Sequence, residues 1–240
     1  MSPAQDKCLH KVTHCIFDND GTLMDTEKQY EIAVSNLLRP YGEKYTYDLK
    51  LQCMGMPTPK STRFLVEKLK LPIDGATFEQ MFNTEVHRQM GKVELMPGVK
   101  DLILHLHNHR VPMAIGTSAQ RKVFVHKAGS HCDLMPAFRH IVCGDDPELV
   151  HGKPAPDIFL LAASRFKPKP KPQCCLVFED SPIGKQAALA AGMQVVMIPD
   201  PRVPEEQTKD ATIVLRSMAD FQPELFGLPP YDNCDRFTFG

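Results

Sequence analysis

Short apolar runs alternate with helical periods along most of this chain, and that alternation restricts it to a parallel sheet covered by helices. The strand candidates are residues 12–17, 111–116, 140–143, 175–178 and 194–198, with a weaker one at 212–215. Between them, Val99, Leu102, Ile103 and Leu106 keep the i, i+3, i+4, i+7 spacing of a helix with one buried face. Residues 157–166 keep it too, and the alanine-rich segment 184–191 is closed by Gly192, a helix-stop residue. An apolar fraction of 42% over 240 residues is ample for such a core.

One stretch breaks the alternation. Residues 27–95 contain no convincing strand, yet the stretch is too long for a plain loop. Tyr30, Ala33, Val34, Leu37 and Leu38 form a helical stripe ending at Pro40 and Gly42. Phe78, Met81, Phe82, Val86 and Met90 form another, opened by Thr77 with Gln80 at capping-box spacing. Phe64, Leu65 and Leu69 suggest a third between them. The expected organisation is an α/β core of residues 1–26 and 96–231, a helical insert of 27–95 and a flexible tail of 232–240. Residues 167–172, KPKPKP, suit only an extended surface connection.

The feature richest in chemistry is Asp18-Asn19-Asp20-Gly21-Thr22, directly after the apolar Cys15-Ile16-Phe17. In extended backbone residues i and i+2 point the same way, so Asp18 and Asp20 can converge while Asn19 points away. They would meet beyond the carboxyl end of a strand, where open α/β sheets bind ligands. Gly21 permits the sharp turn that must follow. Asp-x-Asp-Gly-Thr arises by chance roughly once per hundred thousand positions, and less often still after a buried strand. Two neighbouring acids can divide the work, one attacking as nucleophile and the other moving a proton.

A carboxylate attacking a phosphate dianion meets like-charge repulsion of roughly 8 kcal/mol at 4 Å and an effective dielectric near 20. Something cationic must offset that, and Mg²⁺ binds carboxylate and phosphate oxygens together. Glu179-Asp180, after the strand at 175–178, could complete a metal site with Asp18. Thr117-Ser118 follows the strand at 111–116, where a hydroxyl and free N–H groups can hold phosphate oxygens. Lys153, in the stiff Gly152-Lys153-Pro154, offers a point charge. Each piece alone has a plainer reading, as helix cap or surface lysine. Four pieces after four strands make a set.

That set resembles the haloacid dehalogenase-like phosphatase superfamily. Its first motif is similar to Asp18-Asn19-Asp20-Gly21-Thr22-Leu23, its second to Thr117, its third to Lys153 and its fourth to Glu179-Asp180. The resemblance implies a Rossmann-like sheet of order 3-2-1-4-5, with residues 27–95 at the position of a small helical cap. It implies Asp18 as a nucleophile that becomes an aspartyl-phosphate and Asp20 as general acid/base. Mg²⁺ would be held by Asp18, the backbone carbonyl of Asp20 and Asp180, with Glu179 close by. Thr117, Ser118 and Lys153 would bind the phosphoryl group. Hydrolysis of a small phosphomonoester is the leading expectation, with pseudouridine 5′-phosphate as one candidate. Position 19 is Asn where similar proteins carry an apolar residue, and the insert matches far less well than the core. Gly55, Lys60 and Arg63 are candidate substrate-facing residues there.

Two other functions stay open at this level. A sugar phosphomutase of the same architecture would return the phosphate to its substrate. A phospho-aspartate-regulated binding protein would keep a long-lived adduct and need no insert. A dehalogenase is disfavoured, because Asp20 and the pair Glu179-Asp180 would have no task. The expected partner is a small phosphorylated metabolite, a nucleotide or sugar phosphate. A net charge of −1, with signs mixed, gives no reason to expect nucleic acid or an anionic membrane. No run approaches 18 apolar residues, and residues 1–11 lack the apolar run of a secretory signal. A monomer in the cytoplasm is expected, with the eight cysteines free and no CxxC pair. Cys15, Cys143 and Cys175 read as small buried hydrophobes, and the vicinal Cys174-Cys175 as inert thiols. Of His105, His107 and His109, only the first and last share a helix face.

Overall fold

The computed structural model describes residues 9–53 and 58–231, apart from the side chains at 51, 58 and 59. Six parallel strands form one sheet: β1 (His14–Phe17), β2 (Met113–Gly116), β3 (His140–Val142), β4 (Cys175–Glu179), β5 (Gln194–Met197) and β6 (Ile213–Val214). Their order is β3-β2-β1-β4-β5-β6, the expected 3-2-1-4-5 with the weak sixth candidate paired beyond β5. β1, β2, β4 and β5 are buried at every position, so their sequences are apolar apart from the terminal His14, Glu179 and Gln194.

Register places like with like. Ile16 lies opposite Val177 and Ala114, and these join Val142, Val195 and Phe159 in one buried cluster. Helices α7 (Asp157–Ser164) and α8 (Pro182–Ala190) supply its remaining bulk through Ile158, Ala162, Ala187 and Ala188. The next residue along β1 serves another cluster: Phe17 lies opposite Phe178 with rings stacked at 4.5 Å, and Phe178 meets Phe221 edge-on at 5.0 Å. Helix α5 (Val99–Asn108) buries Val99, Leu102, Ile103 and Leu106, the four residues whose spacing defined it.

The chain divides into two compact units, one holding everything up to Met24 and from Leu95 onward, the other Asp25–Glu94. The chain leaves the first at Met24 and returns at Leu95, and these two residues form an antiparallel bridge. The second unit carries no strand among its described residues. It contains α1 (Thr26–Leu38), α2 (Tyr47–Cys53), α3 (Thr58–Leu69) and α4 (Gly75–Met90) around Val34, Leu37, Leu38, Leu49, Leu65, Leu71, Phe78 and Phe82. Two details differ from the sequence reading. Helix α2 was not expected. The cap of α4 is Asp74, whose carboxylate accepts the amides of Ala76 and Thr77 and the Thr77 hydroxyl. An anionic side chain satisfies those orphan donors and suits the positive end of a helix better than a threonine does. Lys60 and Arg63 lie on α3, while Gly55, Cys8, Cys234 and the tail 232–240 lie outside the described residues.

No helix among the described residues is long and apolar enough to cross a membrane. Cys15, Cys143 and Cys175 are buried and free. Burial pushes the Cys175 thiol up to about 12, consistent with an unreactive group. His105 and His109 do meet, with ring centroids 4.4 Å apart, but His105 Nε2 pairs with the Pro229 carbonyl and His109 Nδ1 donates to the His105 carbonyl. These are packing contacts.

Candidate active site

Each acidic or hydroxyl residue singled out by sequence sits at the carboxyl-terminal rim, and the sheet's own hydrogen bonds hold several of them there. The ladder runs one step past β1, because the Asp18 amide donates to the Phe178 carbonyl at 3.0 Å. It runs one step past β2, where the Thr117 amide donates to the Val142 carbonyl at 3.0 Å. Glu179 ends β4, and its carbonyl accepts the Ile198 amide at 2.8 Å. Backbone pairing thus fixes the origins of these side chains before their own contacts are considered.

Lys153 reaches the same rim from the loop between β3 and α7. Its Nζ donates to Asp18 Oδ1 at 2.5 Å and to Glu179 Oε1 at 2.6 Å, and lies 4.9 Å from the centre of the Phe159 ring. That loop is itself held: the Arg165 guanidinium grips Asp146 through two bonds of 2.7 and 2.8 Å and adds Glu148. The other oxygen of Glu179, Oε2, accepts from the amides of Asp180 and Ser181 and from the Ser181 hydroxyl. Glu179 is fully buried, so all of this capacity serves to fix Lys153 and the start of α8. Ser181 also caps α8 by accepting the Gly184 amide at 3.0 Å.

Glycines also shape the acidic cluster itself. Gly21 has φ +82°, and a Cβ there would come within 2.2 Å of Asp180 Oδ2. At Gly184 a Cβ would fall 1.8 Å from Glu179 Oε1. Gly184→Ala must therefore evict the Glu179 carboxylate from its pocket and release Lys153. We expect a loss of stability of about 3 kcal/mol, as for a broken buried ion pair, read from urea unfolding.

Asp18, Asp20, Ser118, Lys153, Asp180, Ser181 and Ile183 line one cavity of about 350 Å³. Thr117 and Glu179 are buried beside it and do not line it, and the Thr117 hydroxyl accepts the Ala119 amide at 3.1 Å. Thr22 steadies Asp180, its hydroxyl donating to Oδ1 at 3.2 Å. Burial pushes the Asp18 carboxyl well above the usual range; Lys153 opposes that, while Glu179, Asp180 and Asp20 add to it. Burial, then Glu179, pushes Asp180 up to about 7. For Lys153, burial works against the charge, but Asp18 and Glu179 outweigh it and raise the ammonium's pKa. The carboxylates are short of positive charge.

That shortage has a direct remedy. Asp18, Glu179 and Asp180 each offer a carboxylate oxygen, all within 4.8 Å of one another. A donor set of hard oxygens fits a small, hard divalent cation such as Mg²⁺ and lacks the sulfur and imidazole that zinc prefers.

Sequence reasoning missed Lys127, on α6 (Arg121–Ala128), whose Nζ donates to Asp20 Oδ1 at 2.5 Å. In the structure Lys127 falls three residues after the buried Phe124 and one before the buried Ala128, on the core face of the helix, a face that the apolar but exposed Val123 and Val125 hide in the sequence. A charge on a buried stripe must find a partner. Asn19 was read correctly as pointing away from the cavity, but it is fully buried, and among the described residues neither of its amide atoms has a hydrogen-bond partner. Leucine has nearly the same shape. Asn19→Leu should raise the unfolding free energy by about 1–3 kcal/mol, measured by urea denaturation, with turnover unchanged.

A Rossmann-like sheet whose exit rim gathers carboxylates around a buried lysine defines an α/β enzyme core. The pattern of the family described as haloacid dehalogenase-like hydrolase matches residues 15–198. The chain belongs to that family. It is 50% identical over 229 residues, 94% of this chain and 98% of the other, to a Drosophila melanogaster protein named "Probable pseudouridine-5'-phosphatase". It is 40% identical to the Arabidopsis thaliana "(DL)-glycerol-3-phosphatase 2", over 92% of this chain and 94% of that one. A solved family hydrolase from Deinococcus radiodurans shares the fold at a TM-score of 0.76 and 24% identity, covering 92% of this chain and 99% of its own.

Proposed function

We propose that this chain is a Mg²⁺-dependent phosphatase that hydrolyses a small phosphomonoester through a phosphoryl group carried on Asp18. The observation carrying this reading is the buried Asp18, held 2.5 Å from the Lys153 ammonium on the wall of a cavity shared with Asp20 and Asp180. Lys153 holds the Asp18 carboxylate in one orientation, and its charge is available to phosphoryl oxygens entering the cavity. Asp18 attacks phosphorus as the ester P–O bond breaks, and Asp20 donates a proton to the departing oxygen. Asp20 then takes a proton from water, which attacks the same phosphorus and releases phosphate from Asp18. Ser118 and the rim amides near Thr117 are the hydrogen-bond donors for the phosphoryl oxygens.

Mg²⁺ would be held by Asp18, the backbone carbonyl of Asp20 and Asp180, with Glu179 behind them, and would shield the phosphate's charge from the attacking carboxylate. Glu179 accepts four hydrogen bonds from the protein, which favours a supporting place for it over direct ligation. Pseudouridine 5′-phosphate is the leading substrate, supported by half-identity to the fly protein over nearly the whole chain. Glycerol 3-phosphate is the rival, supported at lower identity.

The test is phosphate release from a panel holding both compounds and several sugar phosphates, with Mg²⁺ and with EDTA. Release with Mg²⁺, fastest for pseudouridine 5′-phosphate and lowered at least ~100-fold by EDTA, is expected. Turnover indifferent to chelation would refute the metal dependence, and preference for another ester would refute the substrate.

A further inference from the structure

We propose that Lys127 is a positioning residue that fixes the carboxylate of Asp20, so that one oxygen is committed to the lysine and the other is available to the cavity. The inference rests on the phosphatase reading for what Asp20 does, and on geometry alone for what Lys127 does to it.

Three observations carry it. The Lys127 side chain is only 4% exposed, and its Nζ lies 2.5 Å from Asp20 Oδ1. Asp20, by contrast, lines the cavity and keeps 32% of its side chain exposed. A buried ammonium is strongly unfavourable unless paired, so the contact confines both ends. The acid of the pair is the one that faces the reacting group.

The helix that delivers Lys127 is anchored. At its start the Arg121 amide donates to Asp145 Oδ1 at 2.8 Å, and the Arg121 guanidinium donates to the Ile141 carbonyl at 2.9 Å. Side chains on a helix lean toward its N-terminus, and α6 begins just after the rim residues Thr117 and Ser118. A lysine two turns down that helix therefore leans back toward the rim. A carboxylate with 32% exposure would otherwise sample several rotamers, and proton transfer needs one of its oxygens aimed at a single ester oxygen. Lys127 removes that freedom from below, leaving Oδ2 for the substrate.

The test is a double-mutant cycle on the full chain with Mg²⁺: Lys127→Met, Asp20→Asn and the pair, with Lys127→Arg as the charge-keeping variant. The probe is pseudouridine 5′-phosphate, with p-nitrophenyl phosphate alongside. Lys127→Met should lower kcat ~10- to 100-fold with KM changed less than threefold, and Lys127→Arg should recover at least tenfold of that. In the Asp20→Asn background, the same Lys127→Met change should cost less than twofold, because the residue it acts through is already gone. A kcat within twofold of wild type, or an equal loss in both backgrounds, overturns the proposal. Urea unfolding of the same four proteins supplies a reading independent of turnover: Lys127 and Asp20 should couple, and strict additivity overturns the pairing. A wild-type chain releasing no phosphate from either ester would remove the phosphatase reading instead, and the unfolding cycle would then decide the Lys127–Asp20 contact.

Discussion

Replacing Asp18 by asparagine is expected to lower kcat for phosphate release ~10⁴-fold or more while leaving the fold as stable as before. The amide keeps the shape of the carboxylate but cannot attack phosphorus, and removing a nucleophile costs losses of this order in enzymes with covalent intermediates. Stability should hold because burial already disfavours charge at Asp18, and Lys153 keeps Glu179 as a partner. Steady-state kinetics and a urea titration of Asp18→Asn check both halves. Retained turnover with an intact fold would place the nucleophile elsewhere.

Lys153→Met should damage activity and stability together. Its ammonium is the positive charge between Asp18 and Glu179, whose side chains are 9% and 0% exposed. Removing one partner of a buried ion pair leaves the acids uncompensated, at a cost of about 3–5 kcal/mol. Turnover should fall ~10²- to 10³-fold, since a preorganised charge facing the phosphoryl group is lost. Adding Glu179→Gln should recover part of the stability and none of the turnover. A Lys153→Met protein as stable as wild type would contradict the ion-pair geometry described above.

The core strands were legible because helices cover both faces of the sheet, which leaves β1, β2, β4 and β5 as apolar runs except at the terminal His14, Glu179 and Gln194. Asp18, Thr117 and Glu179-Asp180 were legible for a related reason: each follows such a run, and ladder bonds one step past β1 and β2 carry the first two onto the rim. Lys153 could be placed near the site only by its stiff loop, because the partners that hold its ammonium, Asp18 and Glu179, are brought to it by the tertiary fold, Asp18 from the far end of the chain. Helix α6 shows the limit most clearly. Its apolar pattern misleads, since Val123 and Val125 are 41% and 58% exposed while Lys127 is buried. Composition would turn that helix the other way; tertiary pairing with Asp20 holds it as it is. The cap of α4 was misplaced by three residues, because Thr77 and Asp74 are both good caps and only the anionic one meets the amides.

The central claim is that phosphate passes through a covalent bond to one carboxylate of the opening motif. Borohydride quenching during turnover of pseudouridine 5′-phosphate, followed by peptide mass spectrometry, tests it most directly. An acyl phosphate at residue 18 is reduced by this reagent, so the peptide spanning β1 should carry homoserine there. It should be absent without substrate. Turnover that leaves that peptide unmodified, or a reduced residue at position 20 or 180, would contradict the account.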